Sequence, residues 1–374
     1  MVIAAELEHH PFAPNWLGSR GIPGLVSVII PTYNRSALIC DTLSSIAAQS
    51  WPSIEIILVD DGSSDDTHAV VSRWHAAHPS AALQMICQPN RGPANARNLG
   101  AGLASGEFIY FIDSDDLIVP DAIELLALPL TGTSEPFSVA HIRNADLACH
   151  PVPGDTEGLS RIVTGNFFSS RWMTHAALYR RETLAAAGPF DEQLARGEDT
   201  EHLWRILATS GPGPIIPNFI GVRRLHSYGH LCVGRSLADA ARDDLTTIGH
   251  FTEWAAANCL IDRAMARSIV RRATIVAIRA GRARDWRSNA DAIALLARME
   301  PWRHPLKLLA YSPLKLRWHA VYAPLGLTIE LLKWLRDWLM RLKADVRDQL
   351  GPAKATKMVD WSVKARECTA DLGG

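Results

Sequence analysis

The strongest constraint on the fold is the stretch Phe108-Ile109-Tyr110-Phe111-Ile112, an unbroken run of aromatic and β-branched residues that leads directly into Asp113-Ser114-Asp115-Asp116. A continuous apolar run of this length, with no alternation, suits a strand buried on both faces, as in a parallel sheet. The acids then fall at the strand's carboxyl end, the edge where open α/β sheets place their ligands. Such closely spaced carboxylates repel one another, so a positive partner is expected. A hard divalent cation that also binds phosphate oxygens suits them. The plainer alternative is a solvated acidic turn, because Asp-x-Asp tripeptides are common.

The neighbouring sequence supplies the rest of such a sheet. Residues 26–30, 54–59 and 83–87 read as further buried strands, and 36–48, 67–77 and 94–104 carry helical spacing between them. Pro93 stands well as a first helical residue. Strands alternating with helices in this way predict a doubly wound parallel sheet. The first strand ends in Pro31-Thr32-Tyr33-Asn34 and the second in Asp60-Asp61-Gly62-Ser63. All these ends share one edge of a parallel sheet, so Tyr33, Asp61 and Asp115 are expected to converge. An aromatic ring for a base, a carboxylate for base or ribose and a metal-bound carboxylate for phosphates together suit a nucleoside diphosphate. Neither Gly-x-Gly-x-x-Gly nor Gly-x-x-x-x-Gly-Lys follows the first strand, which argues against a dinucleotide fold or a P-loop.

Further along, 121–128 and 181–187 read as short helices and 137–142 as a strand. Residues 172–179 fit either a strand or the lining of an acceptor pocket, with Trp172 as core or wall. Another helix starts at Glu198-Asp199, where acids are favoured by the helix dipole whatever else they do. Residues 215–222 form an extended run into Arg223-Arg224-Leu225-His226.

Composition narrows the class. The chain has 374 residues, enough for two or three domains, with 48% hydrophobic and 21% charged residues. A net charge of -1 speaks against an electrostatic nucleic-acid binder. The 6 cysteines are scattered without a Cys-x-x-Cys, so reduced thiols in a cytosolic compartment are expected rather than a disulfide framework or a zinc site. Residues 1–24, punctuated by proline and glycine, read as an N-terminal extension without a signal-peptide pattern. No window is long and apolar enough for a membrane span.

With these pieces in order, the sequence resembles the family 2 glycosyltransferases. The matching segments are Val28-Ile29-Ile30-Pro31-Thr32-Tyr33-Asn34-Arg35, Val59-Asp60-Asp61-Gly62-Ser63-Ser64-Asp65, Asn90-Arg91-Gly92-Pro93-Ala94-Asn95-Ala96-Arg97-Asn98, Asp113-Ser114-Asp115-Asp116, Phe190-Asp191 with Gly197-Glu198-Asp199, and Arg224-Leu225-His226. The resemblance covers residues 25–232. It implies an α/β fold of the GT-A (Rossmann-like) kind, a mostly parallel sheet flanked by helices, followed by an α-helical C-terminal region. It implies an enzyme that moves a sugar from a nucleoside diphosphate sugar, a UDP-sugar first, to an acceptor hydroxyl with inversion. The acceptor class stays open among glycan, lipid-linked and protein hydroxyls, and a role in cell-surface polysaccharide or glycan biosynthesis goes with it.

The resemblance also implies roles. Pro31, Thr32 and Tyr33 would contact the base, and Asp61 with Asp60 would hydrogen-bond it. Arg97 would lie near base or phosphate, or else on an ordinary helix surface. Asp113, with Ser114 beside it, would touch the ribose. Asp115 would bind Mg²⁺ or Mn²⁺, with Asp113 and His226 as further candidate ligands; a packed, hydrogen-bonded histidine is the alternative for His226. Asp199 would be the general base, with Glu198 as the substitute.

The family segments stop near residue 233. Residues 233–300 are expected to be helical, with two helices over 237–282 and another at 291–299. Residues 301–350 read as a basic amphipathic region, and 351–374 as a flexible tail. Within 301–347, nine Lys or Arg stand against three acids. Interleaved with Trp and Leu, they suit a helix lying in the interface of a membrane's cytoplasmic face, or one packed on protein. Two other readings stand beside the transferase: a sugar nucleotidyltransferase, and an inactive membrane-associated scaffold.

Overall fold

The computed structural model describes residues 3–4, 16–17, 21–152, 160, 168, 170, 172–226, 236–283 and 285–299. The regions expected at 301–350 and 351–374 lie outside the described residues. The chain divides into two compact units, Met1–Val233 and Gly234–Gly374.

The first unit is built on one mixed sheet. Its strands are β1 (Ile3–Ala4), β2 (Ile22–Thr32), β3 (Ile54–Asp60), β4 (Leu83–Cys87), β5 (Gly106–Phe111), β6 (Leu117–Ile118), β7 (Phe137–Ala145), β8 (Ala177–Arg180) and β9 (Ile215–Arg224), in spatial order β1-β4-β3-β2-β5-β8-β7-β9-β6. Pairing is parallel from β1 through β5, antiparallel at β5·β8, β7·β8 and β6·β9, and parallel again at β7·β9. The apolar runs read from sequence are the central strands. Val28, Ile29, Ile30, Ile57, Leu58, Ile109, Tyr110 and Phe111 are all buried, as both-face coverage requires. The helices are α1 (Ile39–Ala47), α2 (Thr67–Ala77), α3 (Pro93–Leu103), α4 (Ala122–Ala127), α5 (Arg181–Ala187) and α6 (Glu198–Ser210).

Register brings the site to one edge. Thr32 pairs with Asp60 and Asp60 with Cys87, so β2, β3 and β4 end level with one another. Phe111 pairs with Ile29, which puts the Asp113–Asp116 turn beside the end of β2.

One sequence expectation needs correction in this unit and one open choice closes. The stretch 1–24 is more than an extension: Ile3–Ala4 adds a parallel strand to β4, and β2 begins at Ile22, paired with Gly106. Gly21, Pro23 and Gly24 read as loop, but the register shifts between Ile22 and Val26, and an irregularity of this kind accommodates a proline. The open choice at 172–179 resolves into a short 3₁₀ turn, Thr174–Ala176, followed by β8. Trp172 packs 5.3 Å from the Phe137 ring and donates from Nε1 to the Tyr179 hydroxyl at 2.8 Å, which is a core role.

The second unit contains α7 (Leu237–Ala257), α8 (Arg263–Arg282) and α9 (Trp286–Met299). Ser236 and Asp262 cap α7 and α8 by accepting the backbone N–H of Asp239 and Met265. Buried Ala241, Ala255, Ala273, Ala277 and Ala280 let the helices approach closely around Ile248, Phe251 and Ile269. Asp244 on α7 accepts from Arg272 and Arg279 on α8, each at 2.9 Å. Among the described residues no helix is long and apolar enough to cross a membrane. Cys40, Cys87 and Cys149 are free, but Cys259 is disulfide-bonded.

Candidate active site

The turns after β2 and β3 are tied to each other. Asn34 takes a left-handed backbone (φ 53), which asparagine tolerates, and its Oδ1 accepts the N–H of Ser64 at 2.8 Å and of Asp65 at 3.3 Å. Ser63 Oγ in turn accepts the Asn34 N–H at 2.8 Å. Asp60 Oδ1 accepts from Ser63 N at 3.1 Å, so Asp60 shapes its own turn. Gly62 follows with φ 77, and a Cβ there would lie 2.9 Å from Asn90 N, so only glycine fits. Pro31 and Thr32 are buried in the strand end, and Tyr33 emerges from it 45% exposed, an aromatic face at the sheet edge.

Asp61 is buried and heavily used. Its Oδ1 accepts from Gln88 Nε2 at 2.7 Å and Arg91 N at 2.8 Å, and its Oδ2 from Gly92 N at 2.8 Å. A carboxylate offers about four lone-pair positions, so roughly one remains for an outside donor.

The positive partner that the repulsion of the acids after β5 calls for is supplied within the protein, by Arg35 and Arg97. Each has a partner inside the protein. Asp113 Oδ1 lies 2.9 Å from Arg97 Nη2. Asp115 Oδ2 lies 3.1 Å from Arg35 Nε and 3.0 Å from His226 Nε2. Asp116 lies 3.1 Å from His175 Nδ1 and accepts the Arg224 N–H at 3.1 Å. Burial opposes ionisation of Asp113, but the Arg97 guanidinium outweighs it and holds the acid below the usual carboxylate range. Burial, reinforced by Asp115 and Asp113, pushes Asp116 well above that range. Burial likewise drives His175 down to about 4, which favours the neutral imidazole beside Asp116. Ser114 is buried, and its carbonyl accepts from Thr42 Oγ1 on α1 at 3.1 Å.

The third contribution comes from the start of α6. Gly197 precedes it in a left-handed conformation (φ 77). Glu198 is buried and Asp199 exposed. Glu198 Oε1 meets Arg97 Nη1 at 2.9 Å, so Arg97 joins the acid after β5 to the acid opening α6. Arg97 is thus buried rather than spread on the surface of α3. Burial would loosen its proton, yet Asp113 and Glu198 together raise its pKa. Burial and the nearby Asp199 charge raise Glu198. Asp199 Oδ1 accepts the Thr200 N–H at 2.6 Å. The loop entering α6 is clamped to α3: Asn98 exchanges hydrogen bonds with the Phe190 backbone (2.9 and 2.8 Å), and Glu192 accepts from Asn95 at 2.7 Å and Asn98 at 2.8 Å.

Several residues of this site carry no role that their sequence context assigns. Arg35 directly follows the Tyr33-Asn34 turn, and that position is the signal that could have found it. Arg224 Nη1 reaches Asp41 Oδ2 on α1 at 2.7 Å and its Nη2 the Leu38 carbonyl at 3.1 Å, tying the end of β9 to α1. His175 has no signal, being far from the acids in sequence. His226 is buried against Asp115, the packed and hydrogen-bonded alternative, while still touching the candidate metal ligand.

Of the three candidate metal ligands, Asp115 and His226 touch each other while Asp113 is paired with Arg97. Among the described residues no group of three or more His, Cys, Asp or Glu is arranged to hold an ion by itself. Asp115 would offer a Mg²⁺-like ion one carboxylate, the kind of donor such an ion takes alongside phosphate and water.

A mixed α/β sheet with acids gathered on its carboxyl edge is the architecture of GT-A enzymes. Solved structures share it. S. aureus TarS superposes with a TM-score of 0.53 at 22% identity over 80% of this chain and 52% of that one. A mannosyltransferase from Pyrobaculum calidifontis, in complex with GDP-Man and Mn²⁺, gives 0.52 at 22% over 96% and 89%. Residues 27–151, which carry most of β2 and continue through β7, match the family model described as Glycosyl transferase family 2. An uncharacterized glycosyltransferase of Nostoc sp. is 31% identical over 179 residues, covering 44% of this chain and 54% of its own length. Chondroitin synthase of Escherichia coli is 40% identical over 101 residues, or 27% of this chain and 14% of that protein. The chain thus spans about half, or much less, of the length of these curated relatives.

Proposed function

We propose that this protein transfers a sugar from a nucleoside diphosphate sugar to an acceptor hydroxyl, inverting the anomeric carbon. The observation that carries this reading is Arg97, 2.9 Å from both Asp113 and Glu198. It places an acid suited to the donor's ribose and the acids at the start of α6 on opposite sides of one guanidinium. The exposed Tyr33 ring offers a stacking face for the base, flanked by Pro31 and Thr32, and the remaining lone pair of Asp61 suits a base N–H. Structures of this fold solved with UDP-GlcNAc or with GDP-Man and Mn²⁺ agree with that donor class.

Asp199 is the group we assign as base. It is exposed at the helix mouth, whereas Glu198 is committed to Arg97. As the acceptor oxygen attacks C1 from the face opposite the diphosphate, Asp199 takes its proton. The C1–O bond to the diphosphate breaks, and its electron pair leaves with the phosphate oxygen. A Mg²⁺ or Mn²⁺ ion held by Asp115, with Asp113 and His226 alongside, would neutralise charge on the leaving diphosphate. Glu198 and Arg97 fix the first turn of α6, so the base does not have to be ordered when the acceptor arrives. We assign the acceptor to a glycan, lipid-linked or protein hydroxyl, in cell-surface polysaccharide or glycan biosynthesis. Peripheral contact with the cytoplasmic membrane face rests on the basic sequence of 301–347.

Product analysis tests the reaction class. With a panel of UDP- and GDP-sugars, Mn²⁺ and the purified protein, release of nucleoside diphosphate is expected. Pyrophosphate release would point to a sugar nucleotidyltransferase, and absence of both turnover and donor binding to a scaffold.

A further inference from the structure

Asp115 is the acid proposed to hold the divalent ion, and the role of Arg35 inferred from its contacts rests on that reading. Asp115 Oδ2 already receives Arg35 Nε at 3.1 Å and His226 Nε2 at 3.0 Å. Arg35 is not a loose surface side chain. It is 17% exposed, its Nη1 also donates to the carbonyls of Tyr33 at 3.3 Å and Asn34 at 3.2 Å, and its backbone N–H donates to Thr67 Oγ1 at 2.9 Å. Of the neighbouring acids, Asp113 is compensated by Arg97, and Asp116 is hydrogen-bonded by His175 and the Arg224 N–H. The protein therefore carries its own positive charge where an ion would bind.

We infer that Arg35 is a resident counter-charge that keeps free divalent cations off Asp115, so that the ion enters together with the nucleoside diphosphate and not ahead of it. A bare dication approaching Asp115 meets a guanidinium on the same oxygen and gains little from a carboxylate that is already neutralised. A metal–diphosphate complex is different, because it brings phosphate oxygens to which a guanidinium binds at least as well as to a carboxylate. Arg35 then exchanges one anion for another, and Asp115 is released to the ion without leaving a cation unpaired. The same arrangement makes Arg35 a donor-binding residue whose partner changes on loading.

Mn²⁺ uptake, read from loss of the free-ion signal in electron paramagnetic resonance, tests this on the full chain with and without UDP or GDP. Wild type is expected to take up little Mn²⁺ alone and much more with diphosphate. R35Q is expected to bind Mn²⁺ alone on the order of tenfold more tightly and to bind the Mn²⁺–diphosphate complex less tightly. R35K, which keeps the charge, is expected to stay near wild type for Mn²⁺ alone, and its folding can be checked beside that of R35Q by thermal denaturation. Equal affinity of wild type and folded R35Q for Mn²⁺ alone, with diphosphate-dependent uptake intact, would overturn the inference. So would a wild type that binds Mn²⁺ as well alone as with diphosphate. No uptake in any protein even with diphosphate would instead overturn the metal reading of Asp115 beneath it.

Discussion

Asp61 does two jobs with one carboxylate. Its three accepted hydrogen bonds fasten the turn that starts α3 to the end of β3, while the side chain faces the edge where a base would lie. Asp61→Asn replaces one accepting oxygen by an amide that must face N–H donors, and is expected to cost about 1–3 kcal/mol. The urea midpoint checks this; an unchanged midpoint would mean the turn is held by other contacts. Single residues of this kind were legible because strand ends announce themselves: apolar runs stop, and Tyr33, Asp61 and Asp115 stand next. Their partners were not legible. Nothing in sequence says that Arg35 rather than a metal sits on Asp115, or that His175 meets Asp116, since both contacts depend on how distant segments fold back.

Among the elements, α3 joins the two halves of the site. Asn95, Arg97 and Asn98 on successive faces of one short helix hold the loop before α6, the first turn of α6 and the acid after β5. The helix itself was readable from Pro93 and its spacing, but its role was not, because a polar side chain in sequence looks the same whether it faces water or a buried acid. α6 and the 3₁₀ turn each bury a histidine. His202 Nε2 donates to the Gly188 carbonyl (2.9 Å) and its ring lies tilted 4.0 Å from that of Phe190, and burial holds its pKa well below the ordinary value, as it holds His175 at about 4. Both are depressed in the folded state, so between pH 6.5 and about 4 these two histidines bind more protons in the unfolded chain, whereas Asp116, raised by burial, holds its proton more tightly in the folded one. The histidines therefore cost stability as pH drops through that window, with His175 alone contributing a loss of about 2 kcal/mol by about pH 5. Denaturation midpoints at neutral pH and about pH 5 measure it, and His175→Asn, which keeps a donor near Nδ1, should flatten the dependence. An equally steep dependence in the variant would remove His175 as the cause.

At the scale of the molecule, the segment that matches the family 2 model, from β2 to β7, is continued by β8, α6 and β9, which supply Glu198, Asp199, Arg224 and His226, and a separate helical unit follows. The fold class was readable because alternating strands and helices with buried runs admit few arrangements. The mixed far half of the sheet was harder to read, since β7, β8 and β9 pair with strands distant in sequence. The account depends on a base at the mouth of α6 facing a donor held by other strands. Turnover of a nucleotide sugar by Asp199→Asn, measured beside calorimetric binding of the same donor, addresses this directly. The expected result is donor affinity close to wild type with turnover lower by about 10²–10⁴-fold; turnover equal to wild type would contradict it.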